Sequence, residues 1–285
     1  MRRGRGTASL LNPMPAPTTA TAESRSTAAR WAAVRFAVVK VPEITAVFWI
    51  VKVLTTGMGE ATSDFLVHRM PPPVAVLIGL AGLVAALWWQ LRTTLYRAVP
   101  YWLAVVMVAV FGTMAADVLH IGLHVPYVVS TAVFAVSLAV VFVVWHRVEG
   151  TVSIHSISTR RRELFYWTAV MTTFALGTAA GDMTARTLSL GYFASGIGFA
   201  ALIAVPLVAW RFFGLNPIAA FWFAYIVTRP LGASFADWMG VPRALGGLDW
   251  GRGDVSIGLT VPIVILVAVL AVTRLDVQAE DAASA

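Results

Sequence analysis

Residues 48–64 read FWIVKVLTTGMGEATSD: an aromatic pair, then a glycine ten positions after the tryptophan and an aspartate fifteen positions after it. The same spacing returns three times, as Tyr101, Trp102, Gly112 and Asp117, as Tyr166, Trp167, Gly177 and Asp182, and as Phe221, Trp222, Gly232 and Asp237. The pattern [FY]-W-x9-G-x4-D at matched offsets is an internal repeat, the signature of a structure assembled from copies of one supersecondary unit.

Composition says what the unit is. Of 285 residues, 59% are hydrophobic and 12% charged, about half the charged share of an ordinary soluble domain. A water-soluble globule is excluded. Apolar runs near twenty residues recur, the length that crosses ~30 Å of hydrocarbon. Eight spans are read, at about 43–67, 73–91, 100–118, 125–146, 163–186, 190–213, 216–239 and 255–273. Each motif copy lies on an odd-numbered span and is followed by a plainer one. The expectation is an all-α integral membrane protein with about eight transmembrane helices, built from four parallel helix-hairpin repeats. The Trp-to-Trp steps of 53, 65 and 55 group the repeats into two four-helix halves, 41–147 and 163–275, joined by a basic loop at 148–162. Residues 1–40 are rich in Arg, Ser, Thr, Ala and Pro and read as a disordered basic tail; residues 276–285 form a C-terminal tail. Arg2 and Arg3 lack the apolar stretch that a twin-arginine signal requires.

An even number of spans puts both termini on one side. Alternate assignment of the loops gives fifteen basic residues to the terminal side and four (Arg69, Arg186, Arg243 and Arg252) to the other, with Lys52 and Arg229 inside spans. By the positive-inside rule the termini are cytoplasmic. The net charge of +7 is therefore read as topology, with the lipid bilayer as partner and no nucleic acid. Arginine outnumbers lysine and alanine is abundant, pointing to a bacterial source and so to the inner membrane. Arg160, Arg161 and Arg162 in the basic loop suit anionic headgroups or a phosphorylated partner.

Helix geometry turns the motif into a picture. Fifteen residues separate Trp and Asp by ~60° in azimuth and ~22 Å along the axis. They share a face at opposite ends, with Trp near the cytoplasmic side. The glycine lets a neighbouring helix come close, and Thr55, Thr173 and Thr228 lie near that face.

The chemistry must come from acids and histidines, because there is no cysteine. Asp64, Asp117, Asp182 and Asp237 fall at one depth near the extracytoplasmic ends of parallel helices, where a carboxylate is expensive unless it faces an interior or a water-filled cavity. Glu60, Asp64 and His68 form one stripe, and His120 and His124 follow Asp117. Such a mixture of oxygen and imidazole donors suits Mn²⁺, Fe²⁺ or Zn²⁺, and carboxylates alone suit Mg²⁺ or Ca²⁺. Arg229, preceding Pro230, is expected to be an internal counter-ion to one or more of the repeat carboxylates. Lys52, nearer the cytoplasmic end, is expected to snorkel outward. AAGD at 179–182 is a near miss to the GxGD signature of intramembrane aspartyl proteases. It lacks a Tyr-Asp partner, and neither a P-loop nor a dinucleotide fingerprint occurs, so no enzyme activity and no catalytic residue or cofactor are expected.

The strings VPEITAVFWIVKVLTTGMGEATSDF, TVSIHSISTRRRELFYWTAVMTTFALGTAAGD and LNPIAAFWFAYIVTRPLGASFADW resemble a family of uncharacterised bacterial multi-pass membrane-anchored proteins over residues 41–273. The resemblance implies the same hairpin-repeat fold and supplies no activity. The residues themselves point to a transporter or channel for a cation, a divalent metal foremost, bound by the repeat aspartates as substrate. The alternative is a non-transporting membrane scaffold or sensor.

Overall fold

In the computed structural model the described residues are 39–277. The expected N-terminal tail lies outside them, save Val39 and Lys40, as does the C-terminal tail beyond 277. Eight long helices follow in order: α1 Ala46–Arg69, α2 Pro72–Arg92, α3 Ala98–Asp117, α4 Tyr127–Glu149, α5 Arg160–Asp182, α6 Tyr192–Phe213, α7 Pro217–Gly240 and α8 Arg252–Thr273. Six are long and apolar enough to cross a membrane; α1 and α5, which carry the most charge, fall short on that measure.

Local chemistry sets the helix ends. Thr45, Thr159 and Asn216 cap α1, α5 and α7 by accepting hydrogen bonds from backbone N–H groups of the first turn. The Thr159 cap starts α5 at Arg160, so the three arginines assigned to the basic loop form the first turn of a helix. Gly150 and Gly214 stop α4 and α6 in the left-handed conformation. After Asp117 and after Asp182 the helix loosens into π turns, Val118–Gly122 and Met183–Thr187.

The four motif helices form a ring in which α1 packs on α3, α3 on α5, α5 on α7, and α7 back on α1. The even helices lie outside, each chiefly against the next motif helix: α2 on α3, α4 on α5, α6 on α7, and α8, the last, on α1, the first. The ring brings helices of the two expected four-helix halves against each other, α3 on α5 and α7 on α1. Loop order does not reveal this, because each hairpin leans on its successor more than on itself.

Matched offsets meet all round the ring, so its helices run the same way. The first aromatic of each motif packs on the tryptophan of the next: Phe48 on Trp102 with centroids 5.6 Å apart, Tyr101 on Trp167 at 5.6 Å, Tyr166 on Trp222 at 6.2 Å and Phe221 on Trp49 at 5.7 Å. The layer is almost wholly buried, and the tyrosine hydroxyls of Tyr101 and Tyr166 meet at 2.6 Å within it. The glycines face the seventh residue after the next tryptophan. A Cβ on Gly59 would collide with Ala109, on Gly112 would lie 2.8 Å from Phe174 Cβ, on Gly177 would collide with Arg229 and on Gly232 with Thr56. The close approach expected of the glycine thus occurs at every junction.

Large apolar side chains such as Leu77, Val136, Leu207, Phe213 and Ile257 cover the exposed faces of the outer helices. That distribution suits lipid rather than water. The charged side chains within the ring, Lys52, Glu60, Asp64, Asp117, Asp182, Arg229 and Asp237, lie on the four inner helices, where helices surround them.

At the aromatic end, the segments outside the helices are tied together. Lys40 pairs with Glu163 at 2.7 Å, and Gln90 donates to the same carboxylate at 3.1 Å. The Tyr96 hydroxyl donates to Asp276, and the Glu43 N–H to the Asp276 carbonyl. Arg161 and Arg162 both bind Glu149, so their charge is partly spent within the protein.

Candidate functional site

Two polar levels occupy the ring beyond the aromatic layer. The deeper one centres on Arg229, fully buried on α7. Its Nη2 lies 2.5 Å from Glu60 Oε2 on α1, donates to the Thr178 hydroxyl on α5 at 2.6 Å and also to that of Thr113 on α3, while Nη1 donates to the Thr56 carbonyl at 3.3 Å. Glu60, Thr113 and Thr178 occupy one offset, the eleventh residue after each tryptophan; the fourth copy has Ala233 there. One guanidinium therefore joins all four ring helices, and the missing side chain at Ala233 belongs to the helix that supplies the arginine. The expected partner is a repeat carboxylate, and the one that Arg229 pairs with is Glu60 rather than a motif aspartate. Aligning the four copies at that offset is the signal that would have found it.

Lys52 does not snorkel. It is 1% exposed, with Nζ 4.3 Å from the Phe174 ring centroid and 4.2 Å from that of Tyr225. The side chain points among the ring helices, so no lipid-facing route leads it to the interface.

The shallower level holds the motif aspartates at the far end of the ring. Asp64 pairs with Arg252 at the start of α8 at 2.7 Å. Asp182 pairs with Arg186 in the π turn at 3.2 Å, and Arg186 also donates to the Tyr192 and Tyr127 hydroxyls. Asp117 and Asp237, on α3 and α7 across the ring from each other, are half-buried and have no ion-pair partner among the described residues. The charges of Glu60, Asp64 and Asp182 act on both of them, opposed at longer range by Arg229 on Asp117 and by Arg186 on Asp237. Fourfold register in the sequence thus becomes a twofold pattern in contact, with one diagonal ion-paired to arginine and the other without a direct pair among the described residues.

The histidines make contacts of their own. His68 Nδ1 turns back to the Asp64 carbonyl at 2.6 Å, His120 packs on Tyr127 and meets the Ser130 hydroxyl, and His124 is exposed with φ of 54°. The mixed imidazole and carboxylate ligand set is therefore not assembled. Among the described residues, no three His, Asp or Glu side chains are grouped so as to hold one metal ion. A groove of about 860 Å³ between α1, α6 and α7, lined by residues such as Trp49, Val53, Ile203, Trp210 and Phe221, has no ionisable side chain.

A closed ring of parallel motif helices, wrapped by apolar helices and carrying ionisable groups along its interior, defines an all-helical repeat protein with membrane helices. The chain belongs to the family described as Repeat of Unknown Function (DUF347), whose model matches it four times, at residues 47–96, 100–151, 165–215 and 220–276. Each match takes in one inner helix and the outer helix that follows. No match was found among curated proteins or among solved structures.

Proposed function

We propose that the protein is a multi-pass membrane transporter or channel for a cation, with all eight helices crossing the bacterial inner membrane and both termini in the cytoplasm. The observation that carries this reading is the diagonal pair Asp117 and Asp237, two carboxylates left without a direct arginine pair at the half-exposed end of the ring. Negative charge held in such a place attracts a cation and disfavours an anion. Two carboxylates suit a hard divalent ion that keeps most of its water, as Mg²⁺ does, better than a dehydrated ion needing a full protein cage. Beyond them, Arg229 on Glu60 closes the interior. A cation moving further must separate that pair or take the place of the guanidinium.

The membrane orientation is supported by the basic residues of the aromatic end and by the apolar outer faces. The scaffold or sensor reading draws support from the same closure, since the aromatic layer and Arg229 fill the ring. Binding of Mn²⁺, Zn²⁺, Mg²⁺ and Ca²⁺ to the purified protein, measured by calorimetry or radiotracer, separates the two. The cation reading expects saturable binding that Asp117→Asn and Asp237→Asn weaken. Absence of binding for every ion, or unchanged binding in both variants, leaves the scaffold reading.

A further inference from the structure

The fourfold plan is broken at the seam between α7 and α1. Three of the motif tryptophans, Trp102, Trp167 and Trp222, are buried, whereas Trp49 is only half-buried. Trp222 is covered by the outer helix α4, whose Phe142 and Trp145 lie 4.8 Å and 5.8 Å from it between ring centroids. The step from the second motif tryptophan to the third is 65 residues, so the counterparts of Phe142 and Trp145 on the next outer helix, α6, are Leu207 and Trp210. These do not seal Trp49. Trp145 is 0% exposed and Trp210 49%, and Trp49, Leu207 and Trp210 all line the groove of about 860 Å³.

The chemistry of that groove selects its occupant. Along α7 its lining is apolar except for the Thr228 hydroxyl, which is spent on the Tyr225 carbonyl at 2.6 Å. The same lining runs from Pro217 to Leu231, ~21 Å at 1.5 Å per residue, from the aromatic end past the ~15 Å depth of one leaflet. On α6 the wall is the stripe Ile203, Pro206, Leu207 and Trp210, and Arg211, four residues after Leu207, continues it at the aromatic end. Arg211 is exposed, lies over Phe212 at 5.4 Å and has no ion pair among the described residues. An apolar channel as long as a leaflet is deep, with a free cation at its interfacial end, matches a hydrocarbon chain carrying a negative head. We propose that this groove binds one acyl chain of an anionic phospholipid from the leaflet at the aromatic end, with the phosphate held by Arg211. The chain takes the place that Phe142 and Trp145 fill at the preceding junction. This site lies on the outside of the ring and does not depend on the cation reading.

The test is native mass spectrometry of the full-length protein in detergent, titrated with phosphatidylglycerol and with phosphatidylcholine. The wild type should hold one phosphatidylglycerol per chain and bind phosphatidylcholine about fivefold more weakly, the worth of one basic residue at a lipid surface. Arg211→Gln should erase that preference. Leu207→Phe, which places on α6 the residue that α4 carries at the same offset, and Ala224→Phe, on the α7 side of the groove, should remove the bound lipid. If both filling variants fail to fold, Arg211→Gln alone decides, because its side chain is exposed and unpaired. No bound phospholipid, binding unchanged in the filling variants, equal affinity of the wild type for the two lipids, a preference undiminished in Arg211→Gln, or a dimer of the chain that the filling variants disperse would overturn the site.

Discussion

Arg229 on α7 and Glu60 on α1 meet at 2.5 Å inside the ring, at the junction where the last repeat closes on the first. Both are buried. Removing either partner leaves the other as an uncompensated buried charge, a loss of about 3–5 kcal/mol. Arg229→Gln and Glu60→Gln should each lower stability by that order, while replacing both with apolar residues of similar volume, Arg229→Met with Glu60→Leu, should recover much of it. Thermal unfolding of the four proteins measures the coupling. Additive losses in the double variant would show that the pair does not act as a unit.

The motif glycines make a second prediction. Gly112 meets Phe174 and Gly177 meets Arg229 and Pro230, whereas nothing lies within 4 Å of a Cβ placed on Gly198. Leucine at Gly112 or Gly177 should cost about 1–3 kcal/mol or more through overpacking, and leucine at Gly198 should cost little. Unfolding midpoints in detergent and in lipid check the contrast; equal effects at the three sites would remove close packing as the reason for the glycines.

Asp276 gives a pH dependence outside the helices. Burial pushes its carboxyl above the usual aspartate range, against the opposing hydrogen bond from Tyr96, and burial beside this acid likewise raises the Tyr96 phenol. A carboxyl whose folded pKa is raised holds its proton longer in the folded than in the unfolded chain. Its contribution to stability is therefore present below the ordinary aspartate value of 3.8 and is lost as pH rises through the folded pKa. Asp276→Asn should abolish that component, so the difference in midpoint between variant and wild type should grow in the variant's favour from about pH 4 upward, the ordinary aspartate range. A difference independent of pH would contradict it.

How much of this was legible beforehand depends on the kind of relationship. The eight helices, the repeat and the close approach at each glycine follow from spacing within one helix, which the chain order preserves. Which outer helix covers which inner one does not, since α8 packing on α1 joins residues at opposite ends of the chain. The same reason hid the partner of Arg229: counting along α7 leads to Asp237, but the guanidinium reaches sideways to Glu60, Thr113 and Thr178 on three other helices. Lys52 departs from the snorkelling expectation because its side chain points among the ring helices, onto Phe174 and Tyr225, rather than toward lipid. The histidines are near the carboxylates in sequence, but His124 takes a left-handed φ of 54°, His68 bonds back onto its own helix, and no three such side chains group around one metal position among the described residues.

Topology makes a fourth prediction. Reporters placed after residue 285 and near residue 155 should both score as cytoplasmic, and one near residue 245, in the loop between α7 and α8, as extracytoplasmic. A cytoplasmic result at 245 would remove the eight-span arrangement and with it the placing of the carboxylates at the outer face.

The central claim is that Asp117 and Asp237 serve a cation that crosses the membrane, and flux into proteoliposomes tests it most directly. With purified protein reconstituted at known density, uptake of Mn²⁺, Zn²⁺, Mg²⁺ or Ca²⁺ should saturate for at least one ion. Asp117→Asn and Asp237→Asn should each cut that uptake about tenfold or more, equivalent to ~1.4 kcal/mol or more of lost interaction. Asp64→Asn, which deletes a carboxylate already paired with Arg252, should have the smaller effect. Uptake no greater than in protein-free liposomes for all four ions, or equal uptake by the wild type and the Asp117 and Asp237 variants, would contradict the account.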